Sequence, residues 1–247
     1  MGGFANPPLQ NQVTEEFEKM KLKFYGHACF RVTGADGVSV ITDPYTPETS
    51  GYQPITEPPD IVIISSDNDP FHCRADLIPG DFVTVNALEV AQGEGSTEIK
   101  GVKIRAIAAM EALNHQYHDP DQNGMYRFEV DGLHIGHIGD VGNAFSAAQI
   151  EFFKGVDIFL ALAGGHPTME LDDLKVVIDA VQPKWTVPMH FRTLTYVPRN
   201  TYWIDAFLSY FEEDDLDFAF GYEMDITRET LPKVPRVLVM DYVRGAR

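Results

Sequence analysis

Ile61-Val62-Ile63-Ile64-Ser65-Ser66-Asp67-Asn68-Asp69-Pro70-Phe71-His72 opens with four β-branched residues and closes on polar, turn-forming chemistry. An unbroken β-branched run has no polar face, so it suits a strand covered on both sides inside a layered sheet. The Ser, Asp and Asn that follow cap backbone N–H groups well, and a turn is expected at the strand's C-terminal end. Asp67, Asp69 and His72 are also metal-capable groups, so turn-forming and ion-binding roles both stand for this segment.

Working outward, Leu22, Phe24, the Ala28-Cys29-Phe30 run and Val32 predict one strand. Val38–Ile41 predicts a second, across a Gly34–Gly37 turn, ended by Asp43-Pro44. Downstream strands fit Phe82–Val85, Val102–Ala108, Met125–Val130 and Leu133–Ile138. Asp131-Gly132 gives a two-residue hairpin signal between the last two. Gln92–Thr97 reads as a turn. The texture then changes to alternation: a helix capped by Ser146 through Phe153, a strand over Asp157–Leu162, and helical spacing over Glu170–Val181. A strand at Trp185–Pro188, a helix over Tyr202–Phe211 and a closing strand at Val237–Met240 complete the pattern. Meanders followed by β–α alternation predict an α/β fold of two packed sheets with helices outside. Residues 1–20 are polar and read as an N-terminal arm, with 21–247 as a single domain.

Composition narrows the function classes. A chain of 247 residues with 44% apolar and 11% aromatic content can bury a large core without disulfides, and its two cysteines give no disulfide framework. Against 19 basic residues stand 37 acidic ones, a net charge of −18 that repels nucleic acid and anionic membranes. No run approaches the ~20 apolar residues of a membrane span, and MGGFANPP lacks a basic, then apolar, leader pattern. The expectation is a cytoplasmic protein acting on a small molecule, with the acidic arm a possible contact in a homo-oligomer.

Six of the eight histidines (His27, His72, His115, His118, His137 and His190) fall at predicted strand ends or turns, and Asp43, Asp67, Asp69, Asp119 and Asp140 sit nearby. Loops at one edge of a sandwich converge although distant in sequence, and imidazoles with carboxylates are what a metal ion needs. The order of short motifs resembles the metallo-β-lactamase superfamily, in the branch of small zinc-dependent hydrolases similar to ascorbate-6-phosphate lactonase. The motifs are Phe24–Phe30 (F-Y-G-H-A-C-F), Ile41–Pro44 (I-T-D-P), His118–Gly124 (H-D-P-D-Q-N-G), His137–Gly142 (H-I-G-D-V-G), Ala163–Met169 (A-G-G-H-P-T-M) and Val187–Phe191 (V-P-M-H-F). The resemblance runs from about Lys21 to Tyr242, and it implies a four-layer αββα sandwich. It further implies Asp140 as a carboxylate shared by two metals, His190 as a ligand of the second and His118 of the first. His27 and Asp43 would stand behind the ligands and orient them.

The family's H-x-H-x-D-H motif is rewritten here, and two registers fit. One places Asp67, Asp69, Phe71 and His72 on the motif positions; the other, counted from Asp60, places Ser66, Asn68, Pro70 and Phe71 there. The first is preferred because it keeps three metal-capable groups. Exchanging imidazole for carboxylate moves preference from zinc toward manganese, iron or magnesium, with one or two ions held by Asp67, Asp69, His72, His118, Asp140 and His190. The resemblance then implies a metal-dependent hydrolase of a small ester, lactone, amide or phosphoester, using hydroxide on the metal. Asp140 and His190 would act in catalysis, and Arg192 would bind a substrate oxyanion or carboxylate. The alternative is a metal-poor, non-catalytic binding member of the same fold. Tyr45, Tyr196 and Trp203 are candidate pocket residues, and Glu111 is a candidate acid or base without a motif behind it.

Overall fold

The computed structural model describes residues 19–111 and 122–245. In chain order the elements begin β1 (Met20–Gly26), β2 (Cys29–Thr33), β3 (Ser39–Thr42), α1 (Pro47–Ser50), β4 (Ile61–Ile64), β5 (Val83–Asn86) and α2 (Ala87–Gln92). Next come β6 (Ser96–Ile99), β7 (Val102–Ala109), β8 (Asn123–Val130), β9 (Leu133–His137), α3 (Ala147–Phe153), β10 (Ile158–Leu162) and α4 (Leu171–Val181). β11 (Trp185–Met189), α5 (Ile204–Leu208), β12 (Leu216–Phe218), β13 (Glu223–Ile226) and β14 (Arg236–Val239) close the chain. They build two sheets, ordered β13-β1-β2-β3-β4-β5 and β12-β14-β11-β10-β9-β8-β7-β6. This is the α/β class expected from the sequence.

Strand direction decides where function can sit. β1 and β2 are antiparallel, β2 and β3 antiparallel, and β3 and β4 parallel, so β1, β3 and β4 end at one edge of the first sheet. In the second sheet β7, β9, β10 and β11 share a direction by the same count. β4 and β10 are buried along their whole length, as their apolar runs require. The sheets are tied near this edge: His137 at the end of β9 reaches the Ala28 carbonyl at 2.9 Å, and the Tyr126 hydroxyl of β8 donates to Asp43 at 3.3 Å.

Local signals hold where the chemistry is local. Ser146 and Gln149 form a reciprocal capping box at α3, an arrangement that stabilises a helix by about 1 kcal/mol. The predicted continuous strand over 22–32 is instead two strands reversed at His27-Ala28. Gly26 and His27 adopt φ of 128° and 55°, and the residues on either side of the reversal are buried, so no run of exposed polar residues marks the turn. The helix predicted over Tyr202–Phe211 shortens to α5 because Tyr202 N–H is committed to the Gly164 carbonyl, and Arg192 and Trp203 form an isolated bridge. α2, β6, β12 and β13 were not anticipated; β6 and β12 carry no fully buried residue and so no apolar period. Most of the N-terminal arm (1–18), His115, His118 and Asp119 lie outside the described residues.

Candidate metal centre

The loops after β1, β4, β7, β9, β10 and β11 enclose a cleft of about 200 Å³ with His27, Asp69, His72, Glu111, Asp140 and His190 in its walls. Its remaining lining is Pro70, Phe71, Pro167, Thr168, Tyr196, Pro198 and Asn200. Within it, ligand atoms of His27, His72 and His190 lie within 4.8 Å of one another, as do those of Asp69, His72 and Asp140.

Each side chain is placed by its own local constraint. Asp69 receives the N–H groups of Phe71 and, at 3.0 Å, His72 through Oδ1, while its Oδ2 accepts from His72 Nδ1 at 3.0 Å. The aspartate is therefore a turn former and an imidazole orienter at once, and it aims His72 Nε2 away from itself. Asp140 is set by Asn123, a fully buried amide that accepts the Asp140 N–H at 2.9 Å and donates to the Ile138 carbonyl at 3.1 Å. A Cβ at Gly139, where φ is +61°, would fall on Asn123 Oδ1 and Ser65 Cβ, so only glycine permits this turn. His190 leaves β11 with φ +58°, and its N–H donates to the His27 carbonyl at 2.7 Å. A Cβ at Gly164 would strike the His190 carbonyl, which explains the glycine there. His27 (φ +55°), Asp43 (+36°) and His190 all hold left-handed backbone, a cost of roughly 1 kcal/mol or more each that ordinary turns avoid.

Electrostatics follow from burial. Burial, with lesser contributions from the neighbouring His190 and His72, keeps the His27 imidazole far below its ordinary value and hence neutral. Burial likewise lowers His190, although Asp140 opposes it. Burial would also lower His72, but Asp69, Asp140 and Asp43 outweigh it and push the imidazole up to about 10. Burial and the adjacent Asp140 raise Glu111 to about 7. Among the described residues, six buried side-chain polar atoms lack a hydrogen-bond partner. Five belong to this cluster: both His27 nitrogens, His72 Nε2, His190 Nδ1 and Asp140 Oδ1. Asp140 Oδ1 faces His190 Nε2 at 3.4 Å. Orphaned imidazole and carboxylate atoms converging in one cleft are the donor set a divalent cation satisfies.

The residues singled out from sequence are distributed unequally. Asp69, His72, Asp140 and His190 are brought together, whereas Asp67 is exposed and belongs to neither ligand group. His118 is outside the described residues. His27 stands in the cluster itself rather than behind it. Asp43 orients no ligand imidazole by a hydrogen bond. It accepts Ser65 N–H at 2.8 Å and Ser65 Oγ–H at 2.7 Å, fixing where the loop after β4 departs. Arg192 stacks its guanidinium over Trp203, 4.8 Å from the ring centroid, and does not line the cleft; neither do Trp203 and Tyr45. Tyr196 does. Glu111 proves to be a wall residue whose position, just past the end of β7, is the signal that could have marked it.

A profile of the beta-lactamase superfamily domain matches residues 21–190. Over 204 residues the chain is 26% identical to a UPF0173 metal-dependent hydrolase of Thermoplasma acidophilum, covering 73% of this chain and 87% of that one. A UPF0173 metal-dependent hydrolase of Thermococcus onnurineus is 24% identical, with 70% and 85% covered. Among solved structures, a candidate Zn-dependent hydrolase of the metallo-β-lactamase superfamily from Thermotoga maritima superposes with a TM-score of 0.70 at 28% identity, over 91% of this chain and 100% of that one.

Proposed function

The chain belongs to the β-lactamase superfamily, and from that premise we propose that it is a metal-dependent hydrolase of small, uncharged esters, lactones or amides. The observation that carries this reading is the set of orphaned imidazole and carboxylate atoms, supplied by both sheets, at the bottom of one cleft. His72, Asp140 and His190 would hold the ion, with Asp69 fixing the His72 imidazole through its Nδ1. A divalent cation bound there would supply Lewis acidity, polarising a carbonyl oxygen and easing ionisation of water.

The chain's own groups do the rest. Asp140, mostly buried and held by Asn123, accepts a proton from an attacking water and keeps that water oriented. Tyr196 is a phenol that burial first, and then Asp140, holds protonated, so its hydroxyl is suited to donate to the developing oxyanion. Pro70, Phe71, Pro167 and Pro198 exclude water from one side and offer apolar contact to an acyl or alcohol portion. Among the described residues, the lining holds three carboxylates and no lysine or arginine. This acidic lining favours the uncharged substrates among those considered.

The test is hydrolysis of a panel of neutral and anionic p-nitrophenyl esters and lactones by protein loaded with zinc or manganese, before and after chelation. Metal-dependent turnover that prefers neutral substrates supports the reading. Absence of turnover with every metal supports the non-catalytic alternative raised by the altered motif.

A further inference from the structure

We propose that the cleft binds one divalent cation, not two, and that His27 is a direct ligand beside His72, His190 and Asp140. This rests on the metal-dependent reading and specifies its centre. His27 is 1% exposed, and neither of its nitrogens has a hydrogen-bond partner. A buried neutral imidazole normally places its N–H and its lone pair in hydrogen bonds, as His137 does here with Ala28 and Gly139. His27 does neither, although its ring centroid lies 4.0 Å from that of His190 and 4.9 Å from that of His72. Two nitrogens each bonded at about 2 Å to one ion lie at most about 4 Å apart. The observed limit of 4.8 Å therefore needs only a small contraction. The backbone strain at His27 and His190, with the hydrogen bond linking them, holds the two imidazoles together before any ion arrives.

On the opposite flank the polar groups have already satisfied one another. Ser66 Oγ donates to Asn68 Oδ1 at 2.9 Å, and Asn68 Nδ2 donates to Glu111 at 3.0 Å and to Gln122 at 3.1 Å. None of these side chains has an orphaned ligand atom among the described residues, whereas the imidazole flank has four and Asp140 a fifth. A second cation on that flank would have to break this network, in which Glu111 is the only carboxylate and the remaining donors, a serine and two amides, are weak for zinc and manganese alike. Among the described residues, the histidine flank alone offers imidazole and carboxylate atoms without hydrogen-bond partners.

The test is a titration of the full-length, chelator-stripped protein with Co²⁺, read by visible absorption and by bound metal after gel filtration. Wild type, His27→Ala, His27→Gln and Ser66→Ala are compared, each checked for native circular dichroism. The expected result is one Co²⁺ per chain, an affinity lower by at least about 100-fold in both His27 variants, and Ser66→Ala within about threefold of wild type. Two ions per chain overturn the inference and leave the metal-dependent reading intact, as does unchanged affinity in a folded His27 variant. A wild-type protein that binds no Co²⁺, Zn²⁺ or Mn²⁺ overturns both.

Discussion

Lowering the pH from 7 to 5 should destabilise the metal-free protein through His137, and His137→Gln should abolish that contribution. The Gly139 N–H donates to Nδ1 at 3.0 Å, so the single ring hydrogen sits on Nε2 and is given to the Ala28 carbonyl at 2.9 Å. A second proton would set one N–H against another inside a site with no exposure. Burial accordingly depresses the imidazole to about 3, with the Ala28 carbonyl pulling weakly upward. In the unfolded chain the value is about 6.5. A depressed folded value contributes stability that is complete above the unfolded value and is lost as pH falls toward 3. Between pH 7 and 5 the unfolded chain gains most of one proton while the folded chain gains almost none, a loss of about 2 kcal/mol. Urea unfolding followed by tryptophan fluorescence, in chelator at both pH values, measures it. His27 and His190 titrate alike in wild type and variant and cancel. The stability gap between the two proteins should narrow by about 2 kcal/mol at pH 5; a gap that does not change would refute the assignment.

Asn123→Ala removes both ties to the Asp140 turn. It should cost about 2–3 kcal/mol in urea unfolding and also weaken Co²⁺ binding by about tenfold. Gly164→Ala forces the chain away from His190 and should cost about 1–3 kcal/mol, seen as a fall in Tm of several degrees by calorimetry. Loading with metal at about 100 times its Kd should stabilise the fold by about 2.7 kcal/mol, and excess chelator should reverse the rise in Tm completely. Ser65→Ala deprives Asp43 of one of two Ser65 donors. A loss of about 1–2 kcal/mol is expected, with Co²⁺ stoichiometry unchanged.

The legible parts of this chain are those whose physics is local. Ser146 with Gln149, the Asp131-Gly132 hairpin and the buried runs of β4 and β10 each announce themselves within a few residues. The reversal at His27-Ala28 does not, because burial on both arms erases the polar interruption that usually marks a turn. The altered motif was ambiguous for a related reason. Asp67 and Asp69 suit a turn as well as an ion, and choosing between the two registers needs the path of the loop. That path is set from afar, by Asp43 twenty-two positions upstream and by the Thr46 N–H to Pro70 carbonyl bond. Glu111 meets Asn68 across 43 residues, a distance no short pattern encodes. Arg192 looked free to greet a substrate until the neighbouring Trp203 face was seen to occupy it.

His27 and His72 come from one sheet, Asp140 and His190 from the other, and the edge where they meet is bridged by backbone bonds from His190 to His27 and from Gly124 to Ser65. An ion gripped from both sides would act as a rivet through the two plates of the sandwich. Withdrawing it should let that margin breathe while the far margin stays shut. Amide exchange would then accelerate first at the ends of β1 and β11, so that chelation reads out as a local loosening long before the chain unravels.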